Sequence, residues 1–253
     1  MSKMVSFKTR HLRGASEIIE AQGFKNLFRR GYRFFSSDPD LDIKNAINYF
    51  SKKYDTFIDI GAAVGSVTFT VANNFSKCVC FEPEKRNYNE FKAKLNEKKI
   101  KNIEIFNFAL GKEKSEKEFF ISPDGRLDNR FGIHPDENFN SYKVKINTLD
   151  EILKSINIDK KCLIKIDVQG YELEVMKGAL KILENDCTII SEFWPWAMSL
   201  NGTSSLEYIE FLNSKGYSFF DLKNNPIEND ELKKLCNYED KKFVHDDFII
   251  RKK

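Results

Sequence analysis

An aspartate, two glycines and a glutamate set the first chemical constraint. Asp59-Ile60-Gly61-Ala62-Ala63-Val64-Gly65-Ser66 runs from an apolar stretch through a turn of small residues into a helical segment. Small residues let backbone approach a ligand closely, and a helix N-terminus offers free N–H groups. The turn is therefore a cradle for a nucleotide-type ligand, with Gly61, Ala62, Gly65 and Ser66 as contact positions. A dinucleotide turn reads G-x-G-x-x-G, whereas Ala63 and Ser66 stand at the third and sixth positions here. Asp59, two residues before Gly61, would repel a pyrophosphate but would suit a cationic sulfonium with an amino-acid tail. Glu82 ends the next apolar run, Val79-Cys80-Phe81-Glu82-Pro83. A carboxylate at the tip of a second strand can accept both hydroxyls of an adenosine ribose.

Two more carboxyls, Asp167 and Glu192, end later apolar runs. Ligands in open α/β sheets bind outside such strand ends, so either carboxyl could take a proton from a hydroxyl nucleophile. As an oxygen pair they could instead hold Mg²⁺. His134, in the turn-rich stretch Ser122–Ser141, is the alternative base, ahead of His11 and His245. Trp194 and Trp196 offer flat faces to a sugar or a planar ring, or else fill the core. Arg126 and Arg130 could grip a substrate phosphate in bidentate fashion, or stand exposed on a loop.

The elements that must position these residues follow from periodicity. Helices are predicted at Ala15–Phe28 and Leu41–Phe50, the second after a Ser-Ser-Asp-Pro start signal. From there short apolar strands alternate with polar helical stretches, the pattern of parallel βαβ units. Strands are expected at Thr56–Ile60, Lys77–Phe81, Ile103–Phe108, Cys162–Val168, Thr188–Phe193, Ser218–Asp221 and Val244–Ile250. The intervening helices are Val64–Asn74, Glu84–Lys98, Leu149–Ile156, Tyr171–Glu184 and Ser204–Lys215. A hairpin-like insertion pairs strands near Glu116–Ile121 and Tyr142–Ile146.

One run is more specific than the rest. Leu163-Ile164-Lys165-Ile166-Asp167-Val168-Gln169-Gly170-Tyr171-Glu172-Leu173-Glu174 resembles the signature of the FkbM family of methyltransferases. In that signature the fourth strand ends in an Asp, followed by a Gly, an aromatic residue and a Glu that opens a helix. The Asp59–Gly65 turn, Phe81-Glu82-Pro83, Asn107-Phe108-Ala109-Leu110-Gly111 and Asp246-Asp247-Phe248-Ile249-Ile250 fit the same pattern; Ala63 departs from it, replacing a polar residue. The resemblance implies an α/β class I methyltransferase domain over residues 51–253, a Rossmann-like and mostly parallel sheet with its last strand antiparallel and helices on both faces. Residues 1–50 form an N-terminal helical extension. It implies S-adenosylmethionine as cofactor, with Asp59, Gly61 and Gly65 at the methionine end, Glu82 on the ribose, Asn107 and Ala109 near the adenine, and Asp167 beside the sulfonium. The implied reaction is O-methylation of a carbohydrate or nucleotide-activated sugar. Another small metabolite or a lipid-linked glycan is the alternative acceptor, and an NAD(P)-binding oxidoreductase the alternative class.

Composition narrows the partners. Net charge is +3 over 253 residues, too small for a polycation, and no RNA-binding motif appears, so no nucleic-acid partner is expected. The charge is uneven: Lys3, Lys8, Arg10, Arg13, Lys25, Arg29, Arg30 and Arg33 face only Glu17 and Glu20 in residues 1–35. Such an arm suits a phosphate-bearing substrate or an anionic surface, or is a solvated helix. The five cysteines, four of them in apolar runs, read as small buried hydrophobes in a reducing compartment and have no zinc-site spacing. With no apolar leader or membrane-length run, the expected location is cytoplasmic and the expected form a monomer or oligomer without a membrane span. If the arm meets substrate phosphate, reversing the charges of Arg29, Arg30 and Arg33 should raise the acceptor KM, and the effect should shrink as salt is added. Steady-state kinetics at two ionic strengths checks this, and unchanged kinetics would remove the arm from the substrate site.

Overall fold

The computed structural model describes residues 38, 40–123, 128–158, 161–242 and 244–252. The basic arm, the Ala15–Phe28 helix, His11 and Arg126 lie outside the described residues. The chain forms helix α1 (Leu41–Phe50), strand β1 (Thr56–Ile60), α2 (Ser66–Val71), β2 (Lys77–Phe81), α3 (Lys85–Lys98), β3 (Ile103–Phe106) and β4 (Ala109–Leu110). It continues through β5 (Ser115–Ile121), β6 (Asn140–Asn147), α4 (Leu149–Ser155), β7 (Leu163–Ile166), α5 (Glu172–Lys177), α6 (Leu180–Leu183) and β8 (Thr188–Phe193). Helices α7 (Pro195–Leu200) and α8 (Ser205–Ser214), strand β9 (Tyr217–Phe220), helix α9 (Asn229–Cys236) and strand β10 (Asp246–Lys252) complete it.

The main sheet has seven strands in the order β3-β2-β1-β7-β8-β10-β9. β3, β2, β1, β7 and β8 are mutually parallel, and β10 runs antiparallel between β8 and β9. This is the mostly parallel sheet with an antiparallel last strand that the sequence led one to expect. The central strands are apolar on both sides because both sheet faces are covered. Ile58, Ile60, Val79, Phe81, Ile164 and Ile166 pack into one core, and Phe57, Cys78, Cys80 and Leu163 into the other. Helix α1 buries Ala46, Ile47 and Phe50 in the second core, so the part of the N-terminal extension that is described packs on the sheet. All five cysteines are unpaired thiols, four of them buried; burial pushes Cys78 up to about 12. Among the described residues no helix is long and apolar enough to cross a membrane.

The elements depart from the sequence expectations at several places. β3 stops at Phe106, because Asn107 turns out of the sheet and donates to the carbonyls of Glu82 and Pro83. Ala109–Leu110 then pairs with β6 in a second sheet, of order β4-β6-β5, that covers one end of the first. The single helix expected over Tyr171–Glu184 is two, broken at Gly178, where a Cβ would lie 2.0 Å from the carbonyl oxygen of Gly111. Asp150, from α4, accepts from the backbone N–H groups of Lys181 and Ile182 and so restarts the helix from outside. Helices α7 and α9 are additions, although Pro195 at the first turn of α7 and the Asp230, Glu231 to Lys233, Lys234 polarity of α9 are readable start and stop signals.

The junction of β1 and β7 is the tightest point of the sheet. Gly61 adopts φ +81°, and a Cβ there would lie 1.9 Å from the carbonyl oxygen of Asp167. Gly61→Ala adds both positive-φ strain and a clash with backbone that cannot swing aside. It should destabilise the domain by about 3 kcal/mol or more, read as a lower urea midpoint, whereas Gly202→Ala, with open space around it, should cost far less.

Candidate active site

Strand register places the first pair of charges. Asp59 on β1 is the direct partner of Lys165 on β7, and both are buried. The Thr68 hydroxyl, one turn into α2, donates to Asp59 Oδ2. Lys165 Nζ donates to Asp59 Oδ1 at 3.2 Å and to Gly61 O at 3.4 Å, and lies 3.7 Å from Asp167 Oδ2. Side chains two residues apart share a sheet face, which is why Asp167 falls on the same side as Lys165. Burial alone would lower the Lys165 ammonium, but the charges of Asp59 and Asp167 outweigh it and the net shift is upward.

A second carboxyl sits at the tip of β2. Glu82 is 5% exposed, with Oε2 accepting from Ala63 N at 2.8 Å and Oε1 from Glu84 N at 2.9 Å. Burial pushes Glu82 up to about 7, against the lowering effect of those two N–H groups. Its backbone is held by the Asn107 amide.

The loop after β7 is pinned from below. Gln169 and Gly170 both have positive φ, at 55° and 93°. A Cβ on Gly170 would meet the Ala197 carbonyl oxygen at 2.3 Å. Glu172 Oε1 accepts from the N–H groups of Val168 and Gly170, at 3.1 and 3.2 Å, and burial raises this carboxyl to about 7. The loop aims Gln169 so that its amide nitrogen donates to Asp167 Oδ1 at 2.7 Å and to Glu192 Oε2 at 3.0 Å. Burial, with Asp167, Asp247 and Glu172 nearby, holds Glu192 well above the ordinary carboxylate range. His245, brought by the antiparallel β10 to the end of β8, has Nδ1 3.4 Å from Glu192 Oε1.

Of these residues, Asp59, Glu82, Lys165, Asp167 and Gln169 line one cavity; Glu192, expected from the sequence to face it, does not line it. Asp59, Gly61, Ala62, Ser66, Glu82, Ala109 and Asp167, all singled out in the sequence, line it. So do Lys165, Gln169, Phe108, Phe119, Asn129, Phe131 and Tyr171, which the sequence reading did not select as site residues. Lys165 was legible in principle as a charge within an apolar strand. Of the four aromatics, Phe108 follows β3, Phe119 is on β5, Phe131 is in the insertion after β5 and Tyr171 precedes α5, so only folding brings them to the cavity. Gly65 lies behind the wall, where a Cβ would meet the Phe69 and Phe91 rings at 2.6 Å.

Other expected residues stand elsewhere. Asn107 is exposed, and its neighbour Phe108 faces the cavity instead. Arg130 is fully buried between Asp128 and Glu137, with Trp196 and Phe139 against its guanidinium. Its charge is already answered, which corrects the expectation that it meets a substrate phosphate. Trp194 and Trp196 are both buried, and the Trp194 indole donates to Lys242 O. They are packing residues, not an open sugar platform. His134 does not line the cavity; its ring stacks on Trp196 and Nδ1 accepts from Asp136 N. Asp167 and Glu192 are separated by the Gln169 amide, and among the described residues no group of three or more His, Cys, Asp and Glu is arranged for a metal ion.

The Methyltransferase FkbM domain model matches residues 59–219, from Asp59 at the cradle to Phe219 in β9. The chain belongs to the FkbM methyltransferase family. Among solved structures it is similar to methyltransferase FkbM from Methylobacillus flagellatus (14% identity, TM-score 0.46), over 78% of this chain and 43% of that one. The chain thus spans under half the length of that relative. It is also similar to a Streptococcus mutans protein described as a methyltransferase and solved with SAH (12% identity, TM-score 0.45, 84% of this chain and 98% of that one). A third is precorrin-6y C5,15-methyltransferase from Geobacter metallireducens (13% identity, TM-score 0.40, 70% and 72%). No curated protein sequence matches significantly.

Glu82 generates two opposite pH dependences. Its folded pKa of about 7 stands above the ordinary 4.5, so the fold favours the protonated form. That contribution to stability is full below about 4.5 and is lost as pH rises through about 7. Glu82→Gln should flatten this part of the urea-stability profile. If Glu82 holds the cofactor's ribose, the diol donates to the carboxylate form, and S-adenosylhomocysteine affinity should instead rise with pH up to about 7. Calorimetric titration between pH 5.5 and 8 checks the sign, and Glu82→Gln should remove the slope.

Proposed function

We propose that the chain transfers a methyl group from S-adenosylmethionine to a hydroxyl of a carbohydrate or nucleotide-activated sugar. The observation that carries this reading is the linked group Asp167–Gln169–Glu192–His245, which reaches from the cavity wall to the ends of β8 and β10. It brings two carboxyls and an imidazole together near the carboxyl ends of β7 and β8, the edge at which ligands enter such sheets, with Asp167 the one of the three that lines the cavity. Methyl transfer from sulfur to a hydroxyl oxygen needs such a group, because the hydroxyl must lose its proton as it attacks.

The residues present fit the cofactor. Glu82 offers two acceptor oxygens to a ribose diol. Phe108, Ala109 and Leu110 give an apolar wall for the adenine, and Asp59, Lys165 and Asp167 form a charged end for a zwitterionic tail. Bound S-adenosylmethionine supplies a methyl already activated by the sulfonium charge. The protein's work is then positioning, worth up to ~7–11 kcal/mol in favourable cases, together with proton removal. Asp167 is the base in this reading: its side chain is 36% exposed, and it is oriented by Gln169 and Lys165. The acceptor O–H proton passes to Asp167, the O–CH₃ bond forms as S–CH₃ breaks, and the products are the methyl ether and S-adenosylhomocysteine. Glu192 accepts from the Gln169 amide, and His245 stands beside Glu192. Gln169 already donates to both carboxyls, so the pair is read as metal-independent.

A panel of sugars, nucleotide sugars, lipid-linked glycans and small hydroxylated metabolites, incubated with S-adenosylmethionine and read by mass shift and product NMR, tests the acceptor. Methylation confined to the non-sugar members would overturn the carbohydrate reading. Asp167→Asn should lower kcat by roughly 10²–10⁴-fold with a much smaller change in cofactor affinity, while His134→Ala stays near wild type. Chelator should leave turnover unchanged; loss restored by added Mg²⁺ would assign Asp167 and Glu192 to a metal instead.

A further inference from the structure

The turn end of the cavity holds one buried ammonium between two carboxylates. An ammonium has three N–H donors. Lys165 directs hydrogen bonds to Asp59 Oδ1 and Gly61 O, at 3.2 and 3.4 Å. Asp167 Oδ2, at 3.7 Å, is an ion-pair neighbour beyond N–H···O hydrogen-bond length. Among the described residues the third donor therefore has no acceptor at hydrogen-bond distance, although the side chain is only 7% exposed and lines the cavity. A buried charged donor without an acceptor is costly, and a ligand atom that supplies one gains accordingly.

The placement argues against a merely structural cation. Asp59 and Lys165 are register partners on β1 and β7, in the middle of a sheet whose other side chains there are apolar. A buried ion pair at such a place is seldom more stabilising than two packed hydrophobes. Charge kept there at that cost is charge in use. The row Asp59, Lys165, Asp167 reads negative, positive, negative along one wall, which is complementary to a group carrying an ammonium and a carboxylate on one carbon.

We propose that Lys165 recognises the α-carboxylate of the cofactor's methionine tail, with Asp59 and Asp167 flanking it to accept from the tail's ammonium. This rests on the S-adenosylmethionine reading of the cavity and adds to it the residue that tells the complete amino-acid tail from a truncated one. A charge-assisted hydrogen bond of this kind corresponds to about a ten- to hundredfold difference in Kd.

The test needs no acceptor. Isothermal titration of the wild-type chain with S-adenosylmethionine, S-adenosylhomocysteine, decarboxylated S-adenosylmethionine and 5′-methylthioadenosine separates the contributions. The decarboxylated compound keeps the sulfonium and the amine and lacks only the carboxylate. It should bind about ten- to a hundredfold more weakly than S-adenosylmethionine. In Lys165→Gln that ratio should collapse towards one, because the full cofactor weakens and the decarboxylated one does not. Equal affinity of the two sulfonium compounds for the wild type, within about twofold, would overturn the proposal. So would an unchanged ratio in a folded Lys165→Gln. If that variant does not fold, the wild-type comparison decides alone. Failure of all four compounds to bind is a different result: it would overturn the cofactor reading itself, and the Lys165 assignment with it.

Discussion

The ion pair between Asp59 and Lys165 is the constraint around which the rest is arranged. It sits where β1 and β7 run side by side, and its register also decides where Gly61 and Asp167 meet. Asp167 N donates to Ile60 O, and the Gly61 backbone passes so close to Asp167 O that no side chain fits between them. A one-residue slip would send Asp59 and Lys165 into the opposite, apolar face. The pair therefore acts as a register lock as well as a cavity wall. The Thr68 hydroxyl extends the lock to α2, and so ties the glycine turn to the helix behind it.

Around that pair, buried carboxyls serve as anchors for backbone rather than as partners for cations. Glu82 gathers the N–H groups of Ala63 and Glu84, and so joins the glycine turn to the tip of β2. Glu172 gathers those of Val168 and Gly170, and so stiffens the positive-φ loop that carries Gln169. Among the described residues neither carboxyl has a lysine or arginine as a hydrogen-bonded neighbour, and burial raises both to about 7. The resulting loops are rigid where side chains must be aimed within a fraction of an ångström. Gln169, held in this way, reaches two acidic groups at once and sets the spacing between Asp167 and Glu192.

The insertion between β4 and α4 closes the other side. Phe119 on β5, with Phe131 just beyond the loop and Tyr171 at the start of α5, forms an aromatic wall, and Phe131 and Tyr171 lie 4.5 Å apart by ring centroid. Arg130 holds the loop in place: Asp128, Glu137 and Lys242 share its charge network, and Trp196 lies against it. A guanidinium fully removed from solvent needs such partners, which is why this arginine went to the core and not to a ligand.

Much of the parallel domain was determined by the sequence itself. Thr56–Ile60 and Lys77–Phe81 are runs of apolar side chains with turn signals at their ends, and local physics suffices to make them strands. The cradle was legible for the same reason: a glycine turn after a strand has few other uses, and Asp59 and Glu82 stand at fixed distances from it. The tertiary structure alone decided the rest, because it rested on contacts between distant residues. Whether Arg130 met water or Asp128 and Glu137 depended on where the insertion folded back. His245, a lone histidine in sequence, came to Glu192 only because β10 enters antiparallel beside β8. Asn107 broke away from β3 to bond the Glu82 backbone, and Gln169 found its two carboxyls across a strand boundary. Periodicity reports which face a side chain takes within its own element; which partner waits on that face is set by long-range register and by the cost of leaving a buried charge unpaired.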